Sequence, residues 1–204
     1  MSLDWAFIQG TLPTFYRAVW VTLQIGGIAI FTSLLVALVN NAILALRLPL
    51  LLQLFFIYFA LPSLGIRISG FAAAIIGMTF LGGAYLTEVL RAGIEAVPRA
   101  QIESGLAIGL SRAQVLRHIV LPQAGILSLP ALFANVVFLL KETTVVSAVA
   151  VPEILYTTKS YIALYYKTYE MLLVLSALCV LIFLPLSLLL RYLERRLQHG
   201  QFGT

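Results

Sequence analysis

The amino-acid sequence predicts an all-α integral membrane protein with about five transmembrane helices. Of its 204 residues, 61% are hydrophobic and only 10% are charged, whereas soluble domains carry about 25% charged residues. The few charges leave five long uncharged stretches, which are residues 18–46, 48–66, 68–87, 119–140 and 171–190. Because roughly 20 apolar residues in a helix cross the 30 Å hydrocarbon core of a bilayer, each stretch predicts one span.

Glycines, prolines and aromatic residues define the first three spans. Residues 1–17 are partly aromatic and could lie at the outer membrane interface before the first span, where aromatic rings anchor. Pro49 suits the first turn of the second helix, which we expect to end near Pro62. The third span is expected over about 69–90, and its Gly82-Gly83 pair would let a neighbouring helix approach closely.

The distribution of the basic residues indicates an orientation in the membrane. With the amino terminus outside, the cytoplasmic segments carry Arg47, Arg91, Arg99, Arg112, Arg117, Arg191, Arg195 and Arg196. The outer segments then carry only Arg17, Arg67, Lys159 and Lys167, with Lys141 near a span end. The positive-inside rule therefore favours an outer amino terminus and a cytoplasmic carboxyl terminus.

A polar, partly basic segment separates the third and fourth spans. Pro98 is suited to a first helical turn, so a short helix is expected from there through Ala107. Gly109 can adopt the left-handed conformation that ends a helix. Ser111 and Gln114 have the spacing of a capping box, which starts the helix that enters the membrane. The pattern predicts a helix, a glycine turn and a second helix on the cytoplasmic face.

Within this segment, Glu103-Ser104-Gly105 is followed by Gly109 and then by Leu121 and Pro122. This spacing resembles the EAA motif, the coupling loop of importer-type ABC permeases. The alternative is an amphipathic interfacial loop of the kind found in many multi-span proteins, since a motif is a hypothesis until its context supports it. Four further segments resemble the permeases of polar amino acid ABC importers: QLFFIYFALP, GAYLTEVLRAGIEAVPRAQIESGLAIGLSRAQVLRHIVLPQA, LLKETTVVSAVAVPEIL and LPLSLLLRYLERRL.

The resemblance implies one permease domain over residues 1–204, with its cytoplasmic coupling loop at about 92–117. It implies a bacterial inner-membrane protein that pairs with an identical or paralogous permease subunit. Two ABC ATPase subunits would bind on the cytoplasmic side and hold ATP and Mg²⁺, so this chain itself needs no cofactor. A solute-binding protein would dock outside and deliver an amino acid. Glu103 would belong to the contact with the ATPase, together with Ser104, Gly105, Gly109, Leu121 and Pro122.

Two features depart from the family pattern. The family usually has Glu-Ala-Ala where this chain has Glu103-Ser104-Gly105, a change between small residues that should keep the shape. The family also usually has Arg-Gly-Thr-Pro before the second span, where this chain has Leu46-Arg47-Leu48-Pro49. The segment joining the first two spans is shorter by more than a dozen residues, which affects the first cytoplasmic loop but not the coupling loop.

Candidates for the substrate pathway lie at the end of the fourth span and in the third. Ionisable residues near membrane depth usually serve function, which directs attention to Lys141 and Glu142 and to the adjacent Thr143 and Thr144. An ordinary span end at the headgroup level is the alternative, because lysine can extend to the interface. Tyr85 places a hydroxyl within the third span. Glu88 is expected to pair with Arg91, three residues on, rather than to line the pathway.

The segment from Lys141 to Glu170 contains many tyrosines together with Glu153, Lys159 and Lys167. This mixed surface could dock a soluble binding protein or form an interfacial tyrosine belt.

Other functions find little support in the residues. The chain has no P-loop and no cluster of metal ligands around His118 or His199, and its one cysteine, Cys179, is expected to be a packed thiol. No nucleic-acid partner is indicated. Three alternatives stay open: a permease for another small solute (methionine, a metal chelate or an oxyanion), an ATP-independent carrier or channel, and a membrane scaffold. No internal repeat of the kind common in secondary transporters is visible.

Overall fold

A computed structural model describes residues 3–39 and 49–199, and the regular secondary structure in these ranges is helical. The α-helices, in chain order, are α1 (Trp5–Val39), α2 (Leu50–Phe55), α3 (Gly70–Glu95), α4 (Arg99–Ala107), α5 (Arg112–Val115), α6 (Leu121–Glu142), α7 (Ile154–Tyr165) and α8 (Thr168–His199). A π-helical segment, Phe56–Ala60, and a 3₁₀ turn, Leu61–Leu64, continue α2. Another π-helical segment, Leu116–Val120, joins α5 to α6, and the 3₁₀ turn Thr143–Val149 follows α6.

Each of the five predicted apolar segments is represented by a helix. Within residues 3–39 and 49–199, four helical stretches are long and apolar enough to cross a membrane: Trp5–Ala37, Gly70–Glu95, Arg112–Val149 and Thr168–Leu197. The second predicted span, Leu50–Leu64, is shorter. At 1.5 Å per residue it rises about 22 Å, less than the 30 Å hydrocarbon core. The predicted junction between the first two spans, including Arg47, lies outside the described residues.

The amino-terminal segment is helical from Trp5 onward and continuous with the first predicted span. Helix α1 starts at Trp5, where Asp4 Oδ1 accepts a hydrogen bond of 3.0 Å from the Phe7 N–H. Asp4 Oδ2 also accepts one of 3.1 Å from Lys167 Nζ, between α7 and α8. The Phe7 N–H and the Lys167 ammonium hold the pKa of Asp4 below its ordinary value. These contacts let the helix extend beyond the bilayer, at about 52 Å in length.

Helix α3 lies at the centre of the packing, with α1, α2 and α6 against it. Glycines bring these helices together. A Cβ added at Gly77 would lie 2.9 Å from Leu54 Cδ2 of α2, and one at Gly82 would overlap the Ser33 hydroxyl of α1. A Cβ at Gly93 would lie 2.8 Å from the Ala124 carbonyl oxygen of α6 and overlap the Ser128 hydroxyl. Three helices therefore approach α3 at a distance that side chains would prevent.

Hydroxyl groups add polar contacts between α1 and α3. The Thr32 and Thr79 hydroxyl oxygens are 2.6 Å apart and share a hydrogen bond. Ser33 Oγ, fully buried, lies 3.4 Å from the Met78 carbonyl oxygen and 3.3 Å from that of Thr79, and donates to them. Hydrogen bonds of this kind between membrane helices are worth about 0.6 kcal/mol each, so they fix the register of the pair more than they stabilise it.

Glu153 is wholly buried, which contradicts its expected place on the outer surface. Its carboxylate caps the start of α7, where Oε1 accepts from the Tyr156 N–H at 2.6 Å and Oε2 from the Leu155 N–H at 2.8 Å. The N–H of Ile154, the first residue of α7, donates to Thr22 Oγ1 of α1 at 3.4 Å. The free N–H groups of a helix start attract a carboxylate, and here the surrounding helices cover that start.

Replacing Gly82 with valine is expected to destabilise the chain. The new side chain would overlap Ser33 and lie within 3 Å of Leu139 Cδ1, and such overpacking costs about 1–3 kcal/mol. The midpoint of thermal unfolding of the purified chain in detergent should fall by several degrees. Gly27→Val is the matched control, because nothing lies within 4 Å of a Cβ at that position on α1. Equal midpoints for the two variants would show that the close approach of α1 and α3 does not depend on Gly82.

The buried carboxylate of Glu153 predicts a pH-dependent stability. Burial raises its pKa from 4.5 to about 7, against the opposing effects of the Leu155 and Tyr156 N–H groups and of Lys159. The folded chain therefore holds this proton more tightly than the unfolded chain. Its contribution is fully present below about pH 4.5 and is lost as the pH rises through about 7.

Glu153→Gln should abolish this dependence, because the amide does not titrate. Thermal unfolding of both proteins between pH 5 and pH 8 measures it. The wild type should lose up to about 3 kcal/mol relative to the variant across that interval. Parallel pH profiles would mean that Glu153 keeps its ordinary pKa when the chain folds.

Candidate functional site

A helical hairpin, formed by α4 and α5, projects between α3 and α6. Gly109 follows the end of α4 with a positive φ of 89°, as its sequence position predicts. The Gly109 N–H donates to the Leu106 carbonyl at 3.0 Å and the Leu110 N–H donates to the Gly105 carbonyl at 3.1 Å. This pair of bonds is a Schellman motif, which satisfies the last carbonyls of α4 and reverses the chain.

The start of α5 is closed by the predicted capping box. The Gln114 N–H donates to Ser111 Oγ at 3.3 Å, and Gln114 Oε1 accepts from the Ser111 N–H at 2.8 Å. Both sides of the turn therefore have satisfied backbone groups, so the hairpin is a defined element rather than a loose loop.

The hairpin packs firmly against the beginning of α6. Gly105 is buried, and a Cβ there would lie 2.7 Å from Ile119 Cδ1 and 3.1 Å from Val115 Cγ2. A small apolar core continues this contact through Val97, Val115, Val120 and Ala124. The Gln123 amide of α6 donates to the Gln101 side chain of α4. A force on α4 would therefore move α6 with it.

The predicted coupling residues divide into an exposed and a buried set. Glu103, Ser104 and Gly109 are exposed on the hairpin, whereas Gly105 is the buried contact with Ile119. Leu121 and Pro122 are exposed too, but they lie in the first turn of α6, beyond the hairpin.

Sequence reasoning missed Ile108, which has the most exposed apolar side chain of the hairpin. It is 79% exposed at the end of α4, and Leu106 beside it is 41% exposed. The only signal was an apolar residue directly before a turn glycine. An open groove of about 420 Å³ adjoins it, lined by Ala100, Gln101, Ser104, Gly105, Ile108 and Ile119. An apolar tip beside a groove is a surface suited to a protein partner.

The carboxyl-terminal half of α3 carries the predicted ion pair. The Arg91 guanidinium lies between two carboxylates, donating to Glu88 one turn before it and, at 2.6 Å, to Glu95 one turn after it. The pairing of Glu88 with Arg91 is confirmed, and the bond to Glu95 was not foreseen. All three side chains are exposed to solvent, so the cluster contributes little to stability.

The side chain of Tyr85, a residue of α3, lies at the contact between the third and fourth predicted spans. Its ring packs edge to face on Phe138 of α6, with centroids 5.1 Å apart, and 46% of the side chain is exposed. It also lines a cleft of about 280 Å³ between α3 and α6, together with Glu88, Val89, Ala92, Gly93, Ala96, Leu127, Ser128 and Ala131. The hydroxyl that was expected at membrane depth thus faces an open cleft and not a packed core.

The four residues at the end of α6 have different surroundings. Lys141 is exposed, and its ammonium lies 5.9 Å from the centre of the Phe183 ring on α8. Glu142 is half-buried. Thr143 is buried, donates to the Leu140 carbonyl at 2.7 Å and packs near Gly26 of α1.

Thr144 donates to the Lys141 carbonyl at 2.9 Å. The two threonine hydroxyls thus satisfy carbonyl groups at the end of α6, and the charged pair is the more accessible part of this segment.

The aromatic side chains of α7 form a cluster around Tyr161 with those of α1. Its ring stacks on Tyr165, with centroids 5.5 Å apart, and contacts Phe7 and Phe15 of α1. Tyr166, in the turn between α7 and α8, has a positive φ of 54° and is 88% exposed. The tyrosines therefore both hold α7 on α1 and present an aromatic turn to the surroundings.

Comparison with known proteins agrees with this architecture. Residues 30–199 match the family described as binding-protein-dependent transport system inner membrane component. The probable glutamine ABC transporter permease protein GlnP of Bacillus subtilis (strain 168) is 35% identical over 159 residues, which cover 78% of this chain and 72% of that protein. The glutamine transport system permease protein GlnP of Escherichia coli (strain K12) is 29% identical over 217 residues, covering 97% of this chain and 99% of that protein.

A solved structure shares the whole fold. The crystal structure of an amino acid ABC transporter with histidines has a chain that superposes with a TM-score of 0.89 at 27% identity. The superposition covers 96% of this chain and 100% of that chain. With four long apolar helices in the described part of the chain, it is a multi-pass inner membrane protein. It belongs to the family of inner membrane components of binding-protein-dependent transport systems.

Proposed function

We propose that this chain is the membrane-spanning subunit of an ATP-driven importer that moves a polar amino acid into the cytoplasm. The capped hairpin of α4 and α5 is the observation that carries the proposal. It presents Glu103, Ser104 and Ile108 to a partner, while its buried side packs through Gly105 on Ile119, in the π-helical segment that leads into α6, and Gln101 bonds to Gln123 of α6. A push on the exposed side is thereby delivered to a membrane span.

The partners follow from this arrangement and from the relatives. Two ABC ATPase subunits bind the hairpins of two permease subunits, which are identical or paralogous, and these ATPases hold ATP and Mg²⁺. A solute-binding protein docks on the opposite side, where the aromatic turn around Tyr166 offers a contact surface. The amino terminus faces outwards and the carboxyl terminus lies in the cytoplasm, as the distribution of basic residues favours. This chain carries no ATPase site of its own.

Transport proceeds by alternating access. Closure of the ATPases on ATP pushes the hairpin, and α6 follows because Val115, Ile119 and Val120 bind the two together. Movement of α6 against α3 widens or narrows the cleft that Tyr85 lines. Glu142 and Lys141, with Thr143 and Thr144 beside them, mark the outer end of this pathway. An amino acid is the cargo that best fits, since relatives named for glutamine transport match most of the chain.

Gly109→Arg is expected to prevent association with the ATPase. A bulky charge would replace the turn residue beside the apolar tip, and loss of one central contact in an interface weakens binding by roughly 30-fold or more. The variant and the wild type are each co-expressed with the candidate ATPase, purified through a tag on the permease and compared by the amount of ATPase retained and by ATP hydrolysis.

Gly65→Arg is the matched control for this experiment. Gly65 also has a positive φ, of 82°, and nothing lies within 4 Å of an added Cβ at either position, but it follows the turn Leu61–Leu64 rather than the hairpin. Both variants therefore suffer the same local strain, and only Gly109→Arg should lose the ATPase. Equal retention of the ATPase by both would remove the hairpin from the contact.

A further inference from the structure

An amide side chain lies on the same face of α6 as Glu142. Asn135 precedes Glu142 by seven residues, and seven residues are almost two full helical turns, so both side chains leave the helix in nearly the same direction. Phe138 lies between them and carries the contact with Tyr85 of α3. Ala131, one turn before Asn135, lines the cleft between α3 and α6. The residues together form a track along α6, from Glu142 to the cleft.

The Asn135 side chain makes only part of its possible hydrogen bonds within its own helix. Its Nδ2 donates to the Ala131 carbonyl at 2.9 Å, which leaves a second amide hydrogen. Its Oδ1 accepts no hydrogen bond from the described residues, and the side chain is half-buried. An amide without partners in hydrocarbon is unfavourable by several kcal/mol. This face of α6 therefore meets water, a solute or another polar surface, and not lipid tails alone.

The position of Asn135 complements that of Glu142. Their Cα atoms are about 10 Å apart along the helix, a separation that the two ends of one amino acid can bridge with the help of the two side chains. A carboxylate attracts the ammonium group that every amino acid carries. The Asn135 amide offers one acceptor and one remaining donor without net charge. The carboxamide of a substrate can form a hydrogen bond with each of them.

On the basis of the proposed function, we propose that Asn135 is a substrate-binding residue that selects a neutral, hydrogen-bonding side chain such as a carboxamide. Glu142 holds the ammonium group at the outer end of the track, and Asn135 contacts the distal end of the substrate. The cleft lined by Tyr85 receives the substrate next, because the Ala131 carbonyl that holds the Asn135 amide belongs to its wall.

Asn135→Leu tests the role, because leucine has nearly the size and shape of asparagine without its hydrogen bonds. Binding of radiolabelled glutamine and methionine is measured on the purified permease–ATPase complex in detergent, without the solute-binding protein, so that the membrane site alone sets the selectivity. The two amino acids are similar in length and differ in the carboxamide. The variant should bind glutamine roughly tenfold more weakly, as expected for loss of about 1.4 kcal/mol of hydrogen bonding, with methionine nearly unchanged.

Ser176→Leu on α8 is the matched control. The Ser176 hydroxyl also donates to a carbonyl one turn back, that of Leu172, at 2.8 Å and also lies within a span, where it is exposed, but it is on a helix outside the track. This variant should keep the wild-type preference for glutamine. An unchanged preference in Asn135→Leu, or an equal loss in both variants, overturns the proposal.

Asn135→Asp gives a second test should the leucine variant fail to assemble. The added negative charge should shift the preference from glutamine towards lysine, an effect that a merely structural residue would not produce. An assembled aspartate variant with the wild-type preference overturns the proposal and leaves Asn135 as a contact between permease subunits.

Uptake by the wild-type complex in proteoliposomes, with the binding protein added, tests the importer function separately from the role of Asn135. Absence of uptake for every amino acid would refute the proposed function itself. Uptake of glutamine together with an unaltered selectivity in both Asn135 variants would refute only the role of Asn135.

Discussion

The close approach of three helices to α3 is the constraint on which the rest of the structure depends. In lipid, apolar side chains gain little by leaving one apolar surface for another, so helices associate where small residues let their backbones meet. Gly77, Gly82 and Gly93 provide such places along one helix, for α2, α1 and α6 respectively. The Ser33 and Ser128 hydroxyls fit the spaces left by two of these glycines. The cleft between α3 and α6 runs along this same contact, with both Gly93 and Tyr85 in its wall.

The hairpin of α4 and α5 follows a different principle, since local signals determine it. A glycine, a serine and a glutamine satisfy the backbone at the turn, and Gly105 allows α4 to rest on Ile119. Stability of the turn and attachment to α6 thus come from separate residues. In the proposed mechanism, a partner would therefore act on the exposed side without disturbing the contacts between the hairpin and α6.

Features set by neighbouring residues could be predicted from the sequence, and features set by tertiary contacts could not. The apolar helices, the short helix after Pro98, the turn at Gly109 and the capping box at Ser111 all depend on residues a few positions apart, and each is confirmed. The burial of Glu153 depends on the packing of distant helices around the start of α7, where the Ile154 N–H bonds to Thr22 of α1, and an acid among tyrosines gave no sign of it. The exposure of Ile108 likewise depends on which side of α4 rests on α6. The partner-facing roles of the hairpin residues and of Lys141 and Glu142 stay predictions.

The apolar tip of the hairpin also bears on how a cell keeps the subunits of a complex in proportion. In the proposed complex, a chain inserted before its ATPase is available would present Ile108 and Leu106 on a rigid turn. Exposed apolar side chains are what chaperones and proteases act upon in unassembled proteins. Binding of the ATPase to the hairpin, as proposed, would hide the tip and so remove the signal. We therefore expect the abundance of this permease to follow the supply of its partner, with surplus copies cleared from the membrane.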